Sequence, residues 1–321
     1  MTSTDKLAVA ARHGSSLPVP LAIGVSLLGG ACSAVQALVN GRLGDTVGSP
    51  VTAALVSNGL ATVVLLTTLT LPAVRTGLRR VAAARLPWWQ YLGGALGAMT
   101  VAGTALAAPV LGVALFTVVQ VSGASISGVV TDRIGLGPMG RLPVTTVRMV
   151  SALLAVVAVT VAQFGRPIGH IAVGTLLFVL VLGLCRPLQV ALNGRVTAAG
   201  SNVGSASLVN AVVGTGALVV ALAGFKLTGH LRFGGWPSGW WLYLGGFLAL
   251  IVTGANMVSV QSLGVLRTGL TALGGQITGG LVIDAVIPAG HRPTLWLYLG
   301  ASLTIVAALA AGTGRQTPSR E

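Results

Sequence analysis

The heptad Gln36-Ala37-Leu38-Val39-Asn40-Gly41-Arg42 recurs as Gln189-Val190-Ala191-Leu192-Asn193-Gly194-Arg195, 153 residues further on (189 − 36). Each copy closes a long apolar stretch. Within each copy the glutamine and asparagine stand four apart, so a helix would place both amides on one face. Amides on a shared face of an otherwise apolar helix mark a surface that seeks a partner or a ligand, and their repetition divides the chain into two matching halves. Cys32 and Cys185 obey the same offset. Each lies inside an apolar stretch and reads as a small packing residue, with no disulfide or metal role.

Such a chain is built for lipid. Hydrophobic residues make up 54% of it, charged residues only 7%, and its mean hydropathy is +0.90, which places it in the membrane class. Many of its 46 glycines fall inside apolar runs, where small residues let helices approach closely. The net charge of +14 does not point to nucleic acid, because the basic residues are scattered between apolar runs.

Apolar runs fall at about 19–39, 51–71, 90–109, 111–131 and 144–164, then at about 171–191, 204–224, 241–260, 263–284 and 293–313. Each is long enough to cross a hydrocarbon core of roughly 30 Å. The first run is too long for a secretory signal and carries the repeated heptad, so it reads as a span. Almost no loop separates the third and fourth runs, so a tight turn is expected around Ala108-Pro109. The halves also match at Ala53–Ser57 with Ala206–Asn210, at Trp88–Gly94 with Trp240–Gly246, and at Asp132 with Asp284. Five crossings per half is an odd number, so the second half enters from the opposite side. The expected fold is an all-α integral membrane protein of ten transmembrane helices, arranged as two inverted five-helix repeats. The divisions are a cytoplasmic tail over 1–18, a first repeat over 19–164, an inverted second repeat over 165–313 and a cytoplasmic tail over 314–321.

Lysine and arginine set the orientation. With both termini cytoplasmic, inner segments hold 11 of them and outer loops 5, the cluster from Arg75 to Arg85 deciding most of the bias. Arg148, Arg186 and Arg267 fall within spans near inner ends, from where they can snorkel. Trp88, Trp89, Trp240 and Trp241 fit interfacial belts.

The residues Gln36…Asn40-Gly41-Arg42-Leu43-Gly44, Gly48-Ser49-Pro50, Ala54-Leu55-Val56-Ser57, Pro87-Trp88-Trp89…Leu92-Gly93-Gly94 and Ala108-Pro109…Leu111-Gly112 resemble the drug/metabolite transporter superfamily, in its YdcZ-like branch of bacterial inner-membrane proteins. The resemblance covers about residues 19–313. Gly275-Gln276 with Asp284 keeps a pattern of that family's fourth span, whereas the first half has Gly123-Ala124 with Asp132. It implies a multi-pass transporter of the bacterial inner membrane, built as a fused pair of five-helix units that work as a monomer or homodimer.

The candidate substrate-binding set is Gln36, Asn40, Ser57, Asn58, Gln189, Asn193 and Asn210, with Asn256 and Gln276 as weaker members. Amides in a low-dielectric bundle must find partners, and they do so by lining a solute cavity or by tying helices together. Asn40 and Asn193 each precede a glycine near a span terminus, which is also a helix C-cap pattern. Asp132 and Asp284 are candidates for ion coupling, or for interfacial anchoring with Arg133 or Arg292. The spacings Gly93…Gly97, Gly123…Ser127 and Gly275…Gly279 read as helix-crossing surfaces, the last two packing on each other.

The favoured activity is secondary transport of a small organic solute by rocking of the halves. No nucleotide-binding loop is present, and no cofactor or metal is expected. His13, His170, His230 and His291 fall in the tail or loops, which leaves no Ser-His pair inside the bundle for an intramembrane enzyme. A non-transporting scaffold or partner protein is the alternative.

Overall fold

The computed structural model describes residues 17–162, 173–229 and 234–286, with 295, 296, 298–300, 302, 303 and 306. From 17 to 286 the described residues form nine α-helices: α1 Val19–Val47, α2 Pro50–Thr67, α3 Pro72–Ala83, α4 Gly93–Arg133, α5 Thr146–Ala162, α6 Val173–Gly200, α7 Val203–Leu227, α8 Gly245–Leu263 and α9 Val265–Val286. Short 3-10 turns precede α4 and α8 at the paired tryptophans, Trp88–Leu92 and Trp240–Tyr243. No strand occurs among the described residues. Among the described residues, five segments are long and apolar enough to cross a membrane: Val19–Val47, Pro50–Thr70, Val173–Gly200, Val203–Leu227 and Trp240–Leu263.

The asparagines of the heptad do not end their helices. Both α1 and α6 continue seven residues past them, and the chain turns at Gly48 (φ 74°) in one half and at Ser201 (φ 48°) in the other. These turns are built alike. A left-handed residue stops one helix, and the next residue caps the following one: Ser49 Oγ accepts from the Thr52 amide at 3.2 Å, and Asn202 Oδ1 accepts from the Ser205 amide at 2.8 Å. Pro50 then supplies a first-turn residue that needs no N–H partner.

The arginine-rich stretch after the second span is a helix rather than a loop. In α3, Val74, Gly77 and Val81 are buried at helical spacing, while Arg75, Arg79 and Arg80 are exposed. Its buried face lies over the α6–α7 turn, where Gly77 meets Asn202 and Ser205 and Val81 packs with Val196 and Ala206.

Helical backbone runs unbroken through α4, where a turn is expected. A straight helix would carry Gly123 about 30 Å from Gly103. Yet both glycines lie against one stretch of α6: Gly103 on Phe178 and Leu182, Gly123 on Leu180 and Gly183. Ala107 and Val119 likewise share Val179 and Leu182. The chain therefore doubles back between Ala107 and Val119, a stretch that contains Pro109 and Gly112. In the second half the same junction is an open break at Gly264 (φ 76°), between α8 and α9.

The halves interlace. First helices pack on the fourth-span segment of the other half: α1 on α9, with Gly275 against Leu27 and Gly279 against Ala31, and α6 on the second arm of α4. The glycine surfaces of α4 and α9 thus face α6 and α1 instead of each other, because the first helices fill the space between them. The second helices meet at the centre. Val51 and Ala54 of α2 cluster with Leu218 of α7, whereas Leu65 clusters with Leu208 and Ala211, so α2 and α7 cross antiparallel.

Candidate functional site

Polar side chains concentrate around that crossing. Thr62 and Thr215, equivalent across the repeat, join their hydroxyls at 2.8 Å. Asn58 Nδ2 donates to the carbonyl of its own equivalent, Ala211, at 3.2 Å, and to Thr215 Oγ1 at 3.0 Å. The centre of the molecule is therefore a polar seam between copies of one sequence.

The heptad asparagines are engaged one layer out. Ser57 Oγ donates to Asn40 Oδ1 at 2.5 Å, and Asn193 Nδ2 donates to Asn210 Oδ1 at 2.8 Å. Both bonds join the first helix of a half to the second helix of the same half. The sequence places Ser57 and Asn210 opposite amides of the other half, but the tight turns at Gly48 and Ser201 bring the helices of each hairpin together first. Of the three second-helix candidates, Asn58 is the one that bonds across the halves among the described residues.

Each amide pair is covered by a glycine of the opposite half. A Cβ on Gly245 would lie 2.6 Å from Ser57 Oγ and closer still to Asn40 Oδ1, while one on Gly93 would collide with Asn193. The following glycines press on backbone: Gly94 on the Asn210 carbonyl, Gly246 on the Ser57 carbonyl. The twin glycines after each tryptophan pair are thus the notches that admit the other half's asparagine layer. Beside it, Asn58, Ser207, Asn210 and Thr253 border a void of about 10 Å³, room for one water molecule.

Unlike the asparagines, Gln36 and Gln189 have no hydrogen-bond partner among the described residues. Each is half-buried and lies eleven residues before the end of its helix (47 − 36 and 200 − 189). That is about 16 Å along the helix axis from its end. The Gln189 side chain lies on Gly97, whose Cβ would come within 2.9 Å of its Cδ.

Asp132 belongs to a separate cluster. Its carboxylate accepts from the backbone amides of Val265 at 2.9 Å and Leu266 at 3.0 Å, capping α9 from the first half, and pairs with Arg148. Asp132, Arg148 and Arg267 are all buried. The expected partners were Arg133 or Arg292, and the expected state of Arg148 and Arg267 was snorkelling. For Arg133 and Arg148 the outcome differs, because the 134–142 segment folds back so that the Leu142 amide donates to the Asp132 carbonyl, carrying α5 and Arg148 inward to Asp132. Arg133 is exposed, and Arg292 lies outside the described residues. Asp284 occupies the last turn of α9, with its side chain outside the described residues. The four histidines lie outside them too. No cluster of three or more metal-ligating side chains occurs among the described residues.

Thr62 and Thr215 escape a sequence reading, although their equivalence across the repeat was available to find them. No curated protein matches this chain. Among solved structures, one described as "Crystal structure of protein" aligns with a TM-score of 0.60 at 14% identity, covering 91% of this chain and 96% of that one, a likeness of fold alone. Residues 21–161 and 174–310 each match the family described as "Putative inner membrane exporter, YdcZ", and the chain belongs to that family as a tandem of two such units in a multi-pass inner-membrane protein.

Proposed function

We propose that the protein is a secondary carrier of a small organic solute, with ten spans in two inverted five-helix repeats that rock about the α2–α7 crossing. The observation that carries the solute site is the division of labour in the heptad. Asn40 with Ser57 and Asn193 with Asn210 tie the helices within each half, and Asn58 bonds across the halves, while Gln36 and Gln189 have no hydrogen-bond partner among the described residues. An amide left without a partner in a low-dielectric bundle is costly unless a solute or water uses it. The antiparallel crossing of equivalent helices and the doubling back of α4 support the inverted arrangement with five spans per half. The exposed arginines of α3 support a cytoplasmic location for that end of the bundle and for both termini. Asp132 is the coupling candidate with a physical route: groups of both halves hold it, so relative motion of the halves releases its carboxylate. Asp284 stands as its repeat counterpart.

The test is a thermal-shift screen of the purified protein against metabolites and drug-like compounds, followed by flux of any hit into proteoliposomes. A compound class should raise the melting temperature of the wild type and be carried saturably. Gln36→Ala and Gln189→Ala should each abolish both effects. Retention of every hit in both variants would remove the site from these amides, and ligands bound without flux would favour the scaffold role.

A further inference from the structure

The internal repeat supplies a control for each position, and position 90 departs from its counterpart in chemistry as well as size. Leu242, after the second tryptophan pair, is buried in a cluster with Leu43, Val47 and Ala53. Its equivalent after the first pair is Gln90, only 4% exposed, whose Oε1 is buried without a hydrogen-bond partner. Folding needs no amide there, since the other half solves the same packing problem with leucine. A buried, unpartnered amide is a cost that packing does not repay.

Gln90 borders a cavity of about 320 Å³, formed with Leu86, Gly137, Pro138, Arg195 and Ala198. That volume is at the lower end of small-molecule sites. Arg195 is fixed in its wall: Nε donates to the Leu136 carbonyl and Nη2 to the Gly135 carbonyl, both at 2.6 Å. Its equivalent, Arg42, instead stands exposed 5.8 Å from the Trp241 ring centroid. The Asp132 carboxylate lies behind Gly137 and is already paired with Arg148 and capping α9. Exposed Arg85 and Arg141 belong to the neighbouring loops. The surroundings are therefore cationic, with a buried amide oxygen that lacks a donor.

We propose that this cavity binds a small organic carboxylate that also carries a hydroxyl or ammonium donor, with its charge on the Arg195 guanidinium and that donor bonded to Gln90 Oε1. The site is separate from Gln36 and Gln189 and opens at the α3 end of the bundle. A phospholipid headgroup offers similar oxyanion chemistry, so the test must separate the two.

Full-length protein in nanodiscs of phosphatidylcholine alone is titrated with the sodium salts of acetate, lactate, glutamate and citrate, against sodium chloride at equal ionic strength, with the melting temperature as readout. At least one of lactate, glutamate and citrate, which carry such a donor, should stabilise the wild type beyond chloride. Gln90→Leu, which installs the residue the other half already carries, and Arg195→Gln should each weaken the half-saturating concentration by about tenfold or more. Gln90→Asn keeps an amide and serves if the leucine variant does not fold; it should bind more weakly than wild type and more tightly than Arg195→Gln. Gln36→Ala and Gln189→Ala should retain the carboxylate effect, so this site and the one at those glutamines can fail independently. Equal responses to chloride and every carboxylate, or unchanged binding in Gln90→Leu, would overturn the proposal. So would stabilisation that appears only when phosphatidylglycerol is added, which would give the cavity to a lipid headgroup.

Discussion

Arg42 and Arg195 hold the same place in the repeat and live in different surroundings. Around Arg42 the end of the bundle is closed: Leu242 fills the cluster of Leu43, Val47 and Ala53, and the arginine lies outside it over Trp241. Around Arg195 the end is open, with a cavity, a buried amide at Gln90 and loop carbonyls gripping the guanidinium. Shared features, such as the turns at Gly48 and Ser201, the paired amides and the glycine notches, are what the fold requires of both halves. Differences between the ends are free to serve function, and they concentrate at the end that carries α3.

The comparison can be broken most severely at Asp132. Asp132→Ala leaves Arg148 buried without its partner and α9 without its cap, and should destabilise the protein by about 3–5 kcal/mol in thermal or denaturant unfolding. Replacing Asp132 and Arg148 together with leucines should recover most of that loss, because an apolar pair often substitutes for a buried ion pair. Gly94→Leu and Gly246→Leu should each cost about 1–3 kcal/mol by overpacking, and by similar amounts, since both press on equivalent carbonyls. Unequal costs would mean that the halves are less alike than their contacts. Leu242→Gln should destabilise by about 1–3 kcal/mol, whereas Gln90→Leu should leave the melting temperature equal or higher. Opposite signs for reciprocal changes are the sharpest signature of the asymmetry. Arg42→Ala should move stability least, about 0.5–1 kcal/mol for an exposed cation–π contact, and differential scanning fluorimetry suffices to see it.

Much of this was legible in the sequence, for physical reasons that can be named. Apolar run length marks the helices because lipid demands internally bonded backbone. The 153-residue offset marks pairs that meet, down to the Thr62–Thr215 bond. Periodicity within one run does not say which neighbour a helix will choose. That is why Gly123 and Gly275 are assigned to each other from spacing, when the first helices occupy them. Nor does it separate Asn40, which is engaged, from Gln36, one turn away and without a partner among the described residues, because the difference depends on how close Ser57 comes after the Gly48 turn. The amphipathic α3 was hidden by its arginines, which dominate the composition of a segment whose buried face is only Val74, Gly77 and Val81.

The cap that Asp132 places on α9 also sets a schedule for synthesis. The amides it will bind emerge from the ribosome 133 residues later, and at roughly 5–20 residues per second that is a wait on the order of ten seconds. Arg148 follows after only 16 residues. The carboxylate therefore enters the membrane with an early companion that shields its charge, and it keeps that companion until the last helices arrive to use its remaining lone pairs.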